Sequence, residues 1–291
     1  MTDIECIVPS RDRLGESPLW CARTKRLWWV DILRPALQSY DPATGEHRIE
    51  RVPAETLGSI ALRASGGFVL ATERGLLGFE PGRGEATPLV ELEPDRPGNR
   101  LNDGKCDRRG RFWVGSMDAA DRGVTGALYR VEPSGRAARV LGGIAIPNSL
   151  AFDLDDRRLF FADTRRFAIW TFDLDLASGA ISNRRVFADL AGRRGRPDGS
   201  CVDAEGFLWN AEYAGGRIVR YAPDGRVDRE VELPVSCPTC CAFGGERLDC
   251  LYVTSASFAL DAAQRAAEPE AGSLFRLEVG VRGVPEPMFG G

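Results

Sequence analysis

Short apolar runs alternate with polar turn sequences along the whole chain, and they recur in groups of four. Each group begins with a run such as SLAFD, and an apolar run such as LWWVD or LFFAD comes second. An alternating run such as ALQSY or AIWTF comes third and ends in a turn of the Pro-x-x-Gly or Asp-Gly type. A more polar run, such as SNRRVF, follows the turn as the fourth. Alternation with a period of two indicates β-strands. Because helical periodicity is scarce, the pattern predicts an all-β fold.

The group of four strands recurs six times, about every 45 residues, which is the length of a propeller blade. The sequence therefore predicts a single six-bladed β-propeller domain of four-stranded blades, spanning residues 1–291. The N-terminal IECIVPS precedes GESPLW in the way that REVELPVS precedes CPTCCAF. We therefore expect the N-terminal strand to become the outer strand of the last blade. Such closure leaves the ring without a free edge.

Six residues stand at matching positions at the start of the first strand of each repeat. They are Glu16, Gly58, Asn102, Asn148, Asp198 and Thr239. Quasi-symmetry would place them in one ring at one mouth of the central channel, where four of them offer side-chain oxygen ligands. Two converging carboxylates are costly unless a cation neutralises them, and oxygen ligands suit hard or borderline divalent ions. The ring thus indicates a cation site, with strand capping or water binding as the alternative.

Charge and composition narrow the function classes. The 291-residue chain has a formal net charge of −4, which disfavours nucleic acid and an anionic membrane as partners. No apolar run approaches the length of a membrane helix, and the start, MTDIECIVPS, lacks the apolar core of a signal peptide. We therefore expect a cytoplasmic protein.

The sequence offers few candidates for catalysis or metal binding by histidine or cysteine. The single histidine, His47, lies on a polar strand edge, and no G-x-S-x-G motif occurs, so a histidine-based triad is disfavoured. The eight cysteines are expected to be reduced thiols. Cys237 and Cys240 form one C-x-x-C without a second pair, and we interpret them as buried strand cysteines rather than zinc ligands. The chemistry must therefore rest on carboxylates, amides and arginine.

Four ordered motifs resemble those of the regucalcin and gluconolactonase family of sugar lactonases. They are LGESPLW, RLNDGKCDRRGRFWVGSM, IPNSLAFD and RPDGSCVDAEGFLW, and the resemblance extends over essentially the whole chain.

The resemblance implies one divalent metal ion, Ca²⁺, Zn²⁺, Mn²⁺, Mg²⁺ or Fe²⁺, held by Glu16, Asn148 and Asp198. It implies that Arg100 and Asn102 bind substrate oxygens and that Asp198 is also the catalytic proton acceptor and donor. The segment after Gly-Ser-Met departs from the family pattern, so the acidic substrate contact is assigned to Asp118, with Asp121 as the alternative. Asp103 is expected to point away from the site along its strand, and Lys105 to brace its blade.

The function expected on this basis is metal-dependent hydrolysis of a gluconolactone-like or pentonolactone substrate to the aldonic acid. The partner is then a small-molecule sugar lactone, and the protein is a monomer or weak dimer. Two alternatives remain open at this point: a phosphotriesterase-like hydrolase, and a metal- or ligand-binding propeller without catalysis.

Overall fold

The computed structural model describes residues 3–291, and its strands form six four-stranded antiparallel sheets. Strand β1 (Asp3–Val8) is followed by blade 1, made of β2 (Gly15–Cys21), β3 (Arg26–Asp31), β4 (Ala36–Asp41) and β5 (Glu46–Arg51). Blade 2 contains β6 (Leu57–Leu62), β7 (Phe68–Thr72), β8 (Gly75–Phe79) and β9 (Ala86–Glu91). Blade 3 contains β10 (Asn99–Cys106), β11 (Phe112–Asp118), β12 (Gly126–Val131) and β13 (Ala137–Ile144).

The remaining blades repeat this order. Blade 4 contains β14 (Pro147–Phe152), β15 (Arg158–Asp163), β16 (Ala168–Asp175) and β17 (Ala180–Asp189). Blade 5 contains β18 (Arg196–Val202), β19 (Leu208–Tyr213), β20 (Arg217–Tyr221) and β21 (Val227–Glu232). Blade 6 contains β22 (Pro238–Gly244), β23 (Cys250–Ser255) and β24 (Leu274–Glu278), and it lacks an outer strand from its own repeat.

Strand β1 supplies that outer strand. It pairs antiparallel with β24 from Asp3↔Glu278 to Val8↔Leu274. The predicted six-bladed propeller and its closure by the N-terminal strand are both confirmed. Helical structure within residues 3–291 is limited to a 3₁₀ turn (Thr164–Arg166) and the six-residue helix α1 (Ala262–Ala267). Neither helix is long and apolar enough to cross a membrane.

Burial falls from the channel outward. The innermost strand β2 is buried along its whole length, whereas the outer strand β5 is largely exposed. Apolar clusters fill the spaces between neighbouring blades, for example the cluster containing Trp209, Phe243 and Phe275. Inner strands are covered on both faces, which explains why they read as nearly continuous apolar runs.

A register shift interrupts every innermost strand close to its start. The shifts lie at Glu16/Leu19, Leu57/Ser59, Leu101/Gly104, Asn148/Ala151, Pro197/Ser200 and Pro238/Cys240. A β-bulge breaks the strict alternation of side chains and re-aims the residues beside it. In blades 1 and 4 the residue after the ring position also has a positive φ, 52° at Ser17 and 57° at Ser149. The bulges therefore set where the ring side chains point.

All eight cysteines are free thiols, as expected. Cys237 and Cys240 are buried, each only 4% exposed, as expected; Cys240 lies in β22, whereas Cys237 directly precedes this strand. The thiols of Cys201 and Cys241 lie 3.6 Å apart, as a hydrogen-bonded pair between blades 5 and 6.

The segment 282–290, which we call the crossing segment, follows blade 6 and spans the channel. At one end, the N–H of Gly283 donates to the carbonyl of Leu248 at 2.8 Å. At the other end, the N–H of Phe289 donates to the carbonyl of Leu62 at 2.7 Å. Leu62 and Leu248 lie at the far side of their blades from the ring positions, so the crossing segment covers the opposite mouth. Nothing in the sequence pattern predicted this course.

Candidate functional site

Glu16 and Asp198 bring two carboxyl groups together at the mouth of the channel. Both residues are buried, at 6% and 7% exposure, although each carries a charge in water. The N–H of Ser17 donates to Glu16 Oε2 at 2.7 Å. The backbone carbonyl of Asp198 accepts hydrogen bonds from Ser149 Oγ (2.7 Å) and Asn210 Nδ2 (2.9 Å). Blade 1 thus holds the carboxyl group of Glu16, and blades 4 and 5 hold the backbone of Asp198.

The two carboxyl groups interact directly. Burial, followed by the charge of Glu16 on Asp198 and of Asp103 on Glu16, raises the pKa of both carboxyls above the usual range. The interaction between the two side chains also lowers the pKa of Glu16 and raises that of Asp198. Two buried carboxylates that face each other are the arrangement that a divalent cation stabilises.

Asn148 presents its amide oxygen to the same mouth because its nitrogen is already engaged. Asn148 Nδ2 donates to Thr164 Oγ1 at 2.8 Å, and Thr164 Oγ1 donates to the carbonyl of Pro197 at 2.8 Å. Since Nδ2 is held by Thr164, Oδ1 faces the ring. Thr164 therefore links the amide in blade 4 to the residue that precedes Asp198 in blade 5.

Asn102 and Arg100 continue this network into blade 3. Asn102 Nδ2 donates to Asn148 Oδ1 at 3.0 Å and to the carbonyl of Pro147 at 2.9 Å. Arg100 Nη1 donates to Asn102 Oδ1 at 2.7 Å and to the carbonyl of Leu101 at 3.0 Å. Burial lowers the pKa of Arg100 to about 10, which leaves it charged at neutral pH. Within residues 3–291 no hydrogen-bond acceptor meets its Nη2 or Nε, so these donors are available at the mouth.

The other two ring positions hold blades together rather than offering ligands. A Cβ at Gly58 would lie 2.4 Å from the carbonyl oxygen of Leu101, so only glycine permits this approach of blades 2 and 3. Thr239 Oγ1 donates to the carbonyl of Gly15 at 2.5 Å and lies 2.9 Å from Thr254 Oγ1. Thr239 thereby anchors the strand that carries Glu16.

Asp103 does not point away from the site, and this expectation was wrong. The bulge in β10 breaks the alternation on which it was based, and Asp103 is buried. Its Oδ2 accepts the N–H of Leu150 at 2.8 Å, and its charge acts on both Glu16 and Asp198. Burial raises the pKa of Asp103 to about 6. The next charged residue on β10, Lys105, pairs with Glu286 of the crossing segment at 3.0 Å.

The two acidic candidates of the following loop have different surroundings. Asp118 accepts hydrogen bonds from the N–H groups of Ala120 (3.0 Å) and Arg122 (3.1 Å), which hold the pKa of its carboxyl below the usual range. Asp121 forms an ion pair with Arg165 at 2.9 Å, and its charge acts on Arg100. Asp118 therefore shapes the loop, whereas Asp121 lies electrostatically closer to the site. The substrate contact of Asp118 stays a prediction.

The donor set fits a divalent cation through two carboxylates and an oriented amide oxygen. Within residues 3–291 no group of three or more His, Cys, Asp and Glu side chains is arranged to hold a metal ion. The amide of Asn148 is thus an essential part of the candidate site. Thr164 is the residue of this network that the sequence reasoning missed. The sequence feature that could have indicated it is its position directly after Asp163, at the end of the strand that pairs with β14.

The chain is similar to known proteins over nearly its whole length. The family described as SMP-30/Gluconolactonase/LRE-like region matches residues 14–257. Regucalcin of Xenopus laevis is 36% identical over 99% of this chain and 98% of its own. The 6-deoxy-6-sulfogluconolactonase of Pseudomonas putida is 37% identical over 99% of both chains. The crystal structure of a calcium-binding protein, regucalcin, from Agrobacterium tumefaciens superposes with a TM-score of 0.95 at 32% identity, over 99% of this chain and 97% of the other. The chain belongs to the SMP-30/gluconolactonase/LRE-like family.

Proposed function

We propose that the protein is a metal-dependent sugar lactonase that hydrolyses an aldonolactone to the aldonic acid. The observation that carries the proposal is the meeting of Glu16, Asp198 and the oriented amide of Asn148 at one mouth of the channel. Arg100 and Asn102 lie beside them with polar groups directed to the same place. A cation site next to several hydrogen-bonding side chains suits a polyhydroxylated ester better than an apolar ligand.

Glu16, Asn148 and Asp198 would hold the divalent cation. When bound, the cation supplies Lewis-acid polarisation of the lactone carbonyl. The geometry supports this role because the two acidic groups are buried together and Asn148 cannot turn its oxygen away without losing its bond to Thr164. The Agrobacterium tumefaciens relative is described as calcium-binding, which supports a divalent ion of this kind.

Asp198 acts as the general base and then as the general acid. Its ionised carboxylate takes a proton from the water whose oxygen attacks the carbonyl carbon, and it returns the proton to the ring oxygen when the ester bond breaks. Arg100 binds substrate oxygens through the donors that the protein leaves free, and Asn102 positions Arg100 through Oδ1. Asp118 or Asp121 then contacts a hydroxyl group at the rim.

The substrate class follows from the relatives and from the polar lining. The Pseudomonas putida relative acts, by its name, on a substituted gluconolactone, and we propose a gluconolactone-like or pentonolactone substrate for this chain. The test is a panel of five- and six-carbon lactones followed by a pH indicator, with chelated protein resupplied with Ca²⁺, Zn²⁺, Mn²⁺, Mg²⁺ or Fe²⁺. We expect turnover only with metal. Equal rates in the metal-free protein obtained by chelation and in the protein resupplied with metal would refute metal dependence.

The same panel separates the alternatives. Metal binding without turnover of any lactone would favour a binding propeller without catalysis. Faster turnover of a phosphotriester than of every lactone would favour the phosphotriesterase-like hydrolase. The Asp198→Asn variant distinguishes base from ligand, because asparagine keeps an oxygen ligand but cannot accept a proton at neutral pH.

A further inference from the structure

The crossing segment seals the channel at the mouth opposite the candidate metal site. It is joined to blade 5 by the N–H of Ala204, which donates to the carbonyl of Arg282 at 2.8 Å. It is joined to blade 3 by the N–H of Gly290, which donates to the carbonyl of Gly110 at 2.9 Å. Phe289, only 2% exposed, packs into the apolar cluster between blades 2 and 3. Both ends are thus fixed, and the middle of the segment lies across the channel axis.

Glu286, in the middle of the crossing segment, enters the channel. Its Oε1 lies 3.0 Å from Lys105 Nζ, and the two side chains are only 20% and 16% exposed. Burial alone would lower the pKa of Lys105, but the nearby carboxylate of Glu286 raises it, so Lys105 is charged at neutral pH. A buried lysine would be unstable as a cation in this position without such a partner.

The pair and residues beside the candidate metal site line one small internal cavity. This cavity of about 20 Å³ has apolar walls, and its polar lining is made of Glu286, Lys105, Asp103, Ser17 and Cys240. Ser17 follows Glu16 directly, and Asp103 acts on Glu16 and Asp198 by its charge. Charge at Glu286 therefore acts on the metal site through a low-dielectric interior rather than through bulk water.

The charges along the channel nearly balance only when a divalent cation is present. Four carboxyl groups and two basic groups act on one another along it: Glu16, Asp103, Asp198, Glu286, Arg100 and Lys105. When all are ionised, their net charge is −2, which one divalent cation offsets. Without Glu286 the net charge would be −1, and Lys105 would be left as an unpaired cation beneath the site.

We infer that Glu286 is a positioning residue for the candidate metal site, because it pairs with Lys105 and so sets the charge that a bound divalent cation experiences from below. The inference rests on the proposed metal-dependent function. It assigns a role to the crossing segment, which contributes no ligand and lies at the other end of the channel. Its signature is electrostatic: the charges of Glu286 and Lys105 should have opposite effects on cation affinity.

The test measures binding of Ca²⁺ and of Mn²⁺ to chelated protein by titration calorimetry, at neutral pH and low ionic strength. Glu286→Gln should weaken cation binding by about tenfold, since it removes a negative charge. Lys105→Met should strengthen cation binding by a similar factor, since it removes a positive charge. The double variant should return to within about threefold of the original affinity.

Glu246→Gln is the matched control. Glu246 pairs with Lys25 at 2.5 Å on the same side of the propeller, but the two side chains are 70% and 69% exposed. Solvent therefore screens the charges of this pair. This variant should bind both cations as the original protein does. Thermal melting of each variant checks that the fold is retained.

The outcomes separate the two proposals. If the unaltered protein binds neither cation, the metal-dependent function fails and the inference fails with it. If it binds them but Glu286→Gln leaves the affinity unchanged, only the inference is overturned. Weaker binding by both single variants, without recovery in the double variant, would also overturn it, because a purely structural role predicts that result.

Discussion

Thr164→Val tests whether the orientation of Asn148 is fixed by one hydroxyl. The substitution keeps the branched shape but removes the oxygen that accepts from Asn148 Nδ2 and donates to the carbonyl of Pro197. Both bonds are 2.8 Å long and lie in the buried interior, and the carbonyl of Pro197 loses this donor. The loss of two neutral hydrogen bonds, with buried groups left unpaired, costs about 2–3 kcal/mol of folding free energy.

The functional effect should exceed what a loss of stability explains. Asn148 would keep only the hydrogen bond from Asn102 Nδ2 to its Oδ1, so its amide would be less firmly oriented and its oxygen would face the metal site only part of the time. Loss of a group that orients a metal ligand typically costs about 10–100-fold in metal affinity. Calorimetric titration with Ca²⁺ and Mn²⁺ measures this affinity directly, and lactone turnover at subsaturating metal should fall in parallel.

Thr164→Ser is the matched control, because it keeps the hydroxyl and removes only a methyl group. It should retain metal affinity within about threefold while losing at most about 1 kcal/mol of stability. Equal metal affinity of the Thr164→Val and Thr164→Ser variants would refute an orienting role for Thr164. Thr164 would then stabilise the junction of blades 4 and 5 without orienting the ligand.

Three further predictions concern the ring and the buried acids. Asp198→Asn should lower lactone turnover by about 10²–10⁴-fold even at saturating metal, because the base is lost. Excess metal should largely restore the activity of Glu16→Gln. Full rescue of the activity of Asp198→Asn by metal would show that Asp198 is a ligand only. Arg100→Lys should mainly raise KM, by about tenfold, since one donor group replaces a planar fork, and a fall in kcat alone would contradict a binding role. Burial raises the pKa of Asp12 and Asp103 to about 6 in the folded protein, so the folded state binds these protons more tightly than the unfolded state. Their contribution to stability is therefore complete below about pH 4 and is lost as the pH rises through 6. Denaturant unfolding of the chelated protein should show this loss, and a free energy of unfolding that increases between pH 4 and 6 would contradict it.

The sequence by itself determined the repeat and, through it, the positions of the ring. Each blade is a local unit, so the alternation of apolar residues, the turns and the period of about 45 residues were sufficient to predict six blades. Because the blades are quasi-equivalent, equal spacing along the chain translates into equal height along the channel. Glu16, Asn148 and Asp198 could therefore be grouped although they are far apart in the sequence.

Only the tertiary structure decided what surrounds that ring. The bulge in β10 turned Asp103 toward the channel, against the alternation that predicted otherwise. Thr164 became part of the site because blades 4 and 5 pack side by side, and the loop around Asp118 used its carboxylate for its own N–H groups. Glu286 reaches Lys105 across 181 residues of chain. Such contacts depend on how separate segments meet in space, and no local periodicity records them.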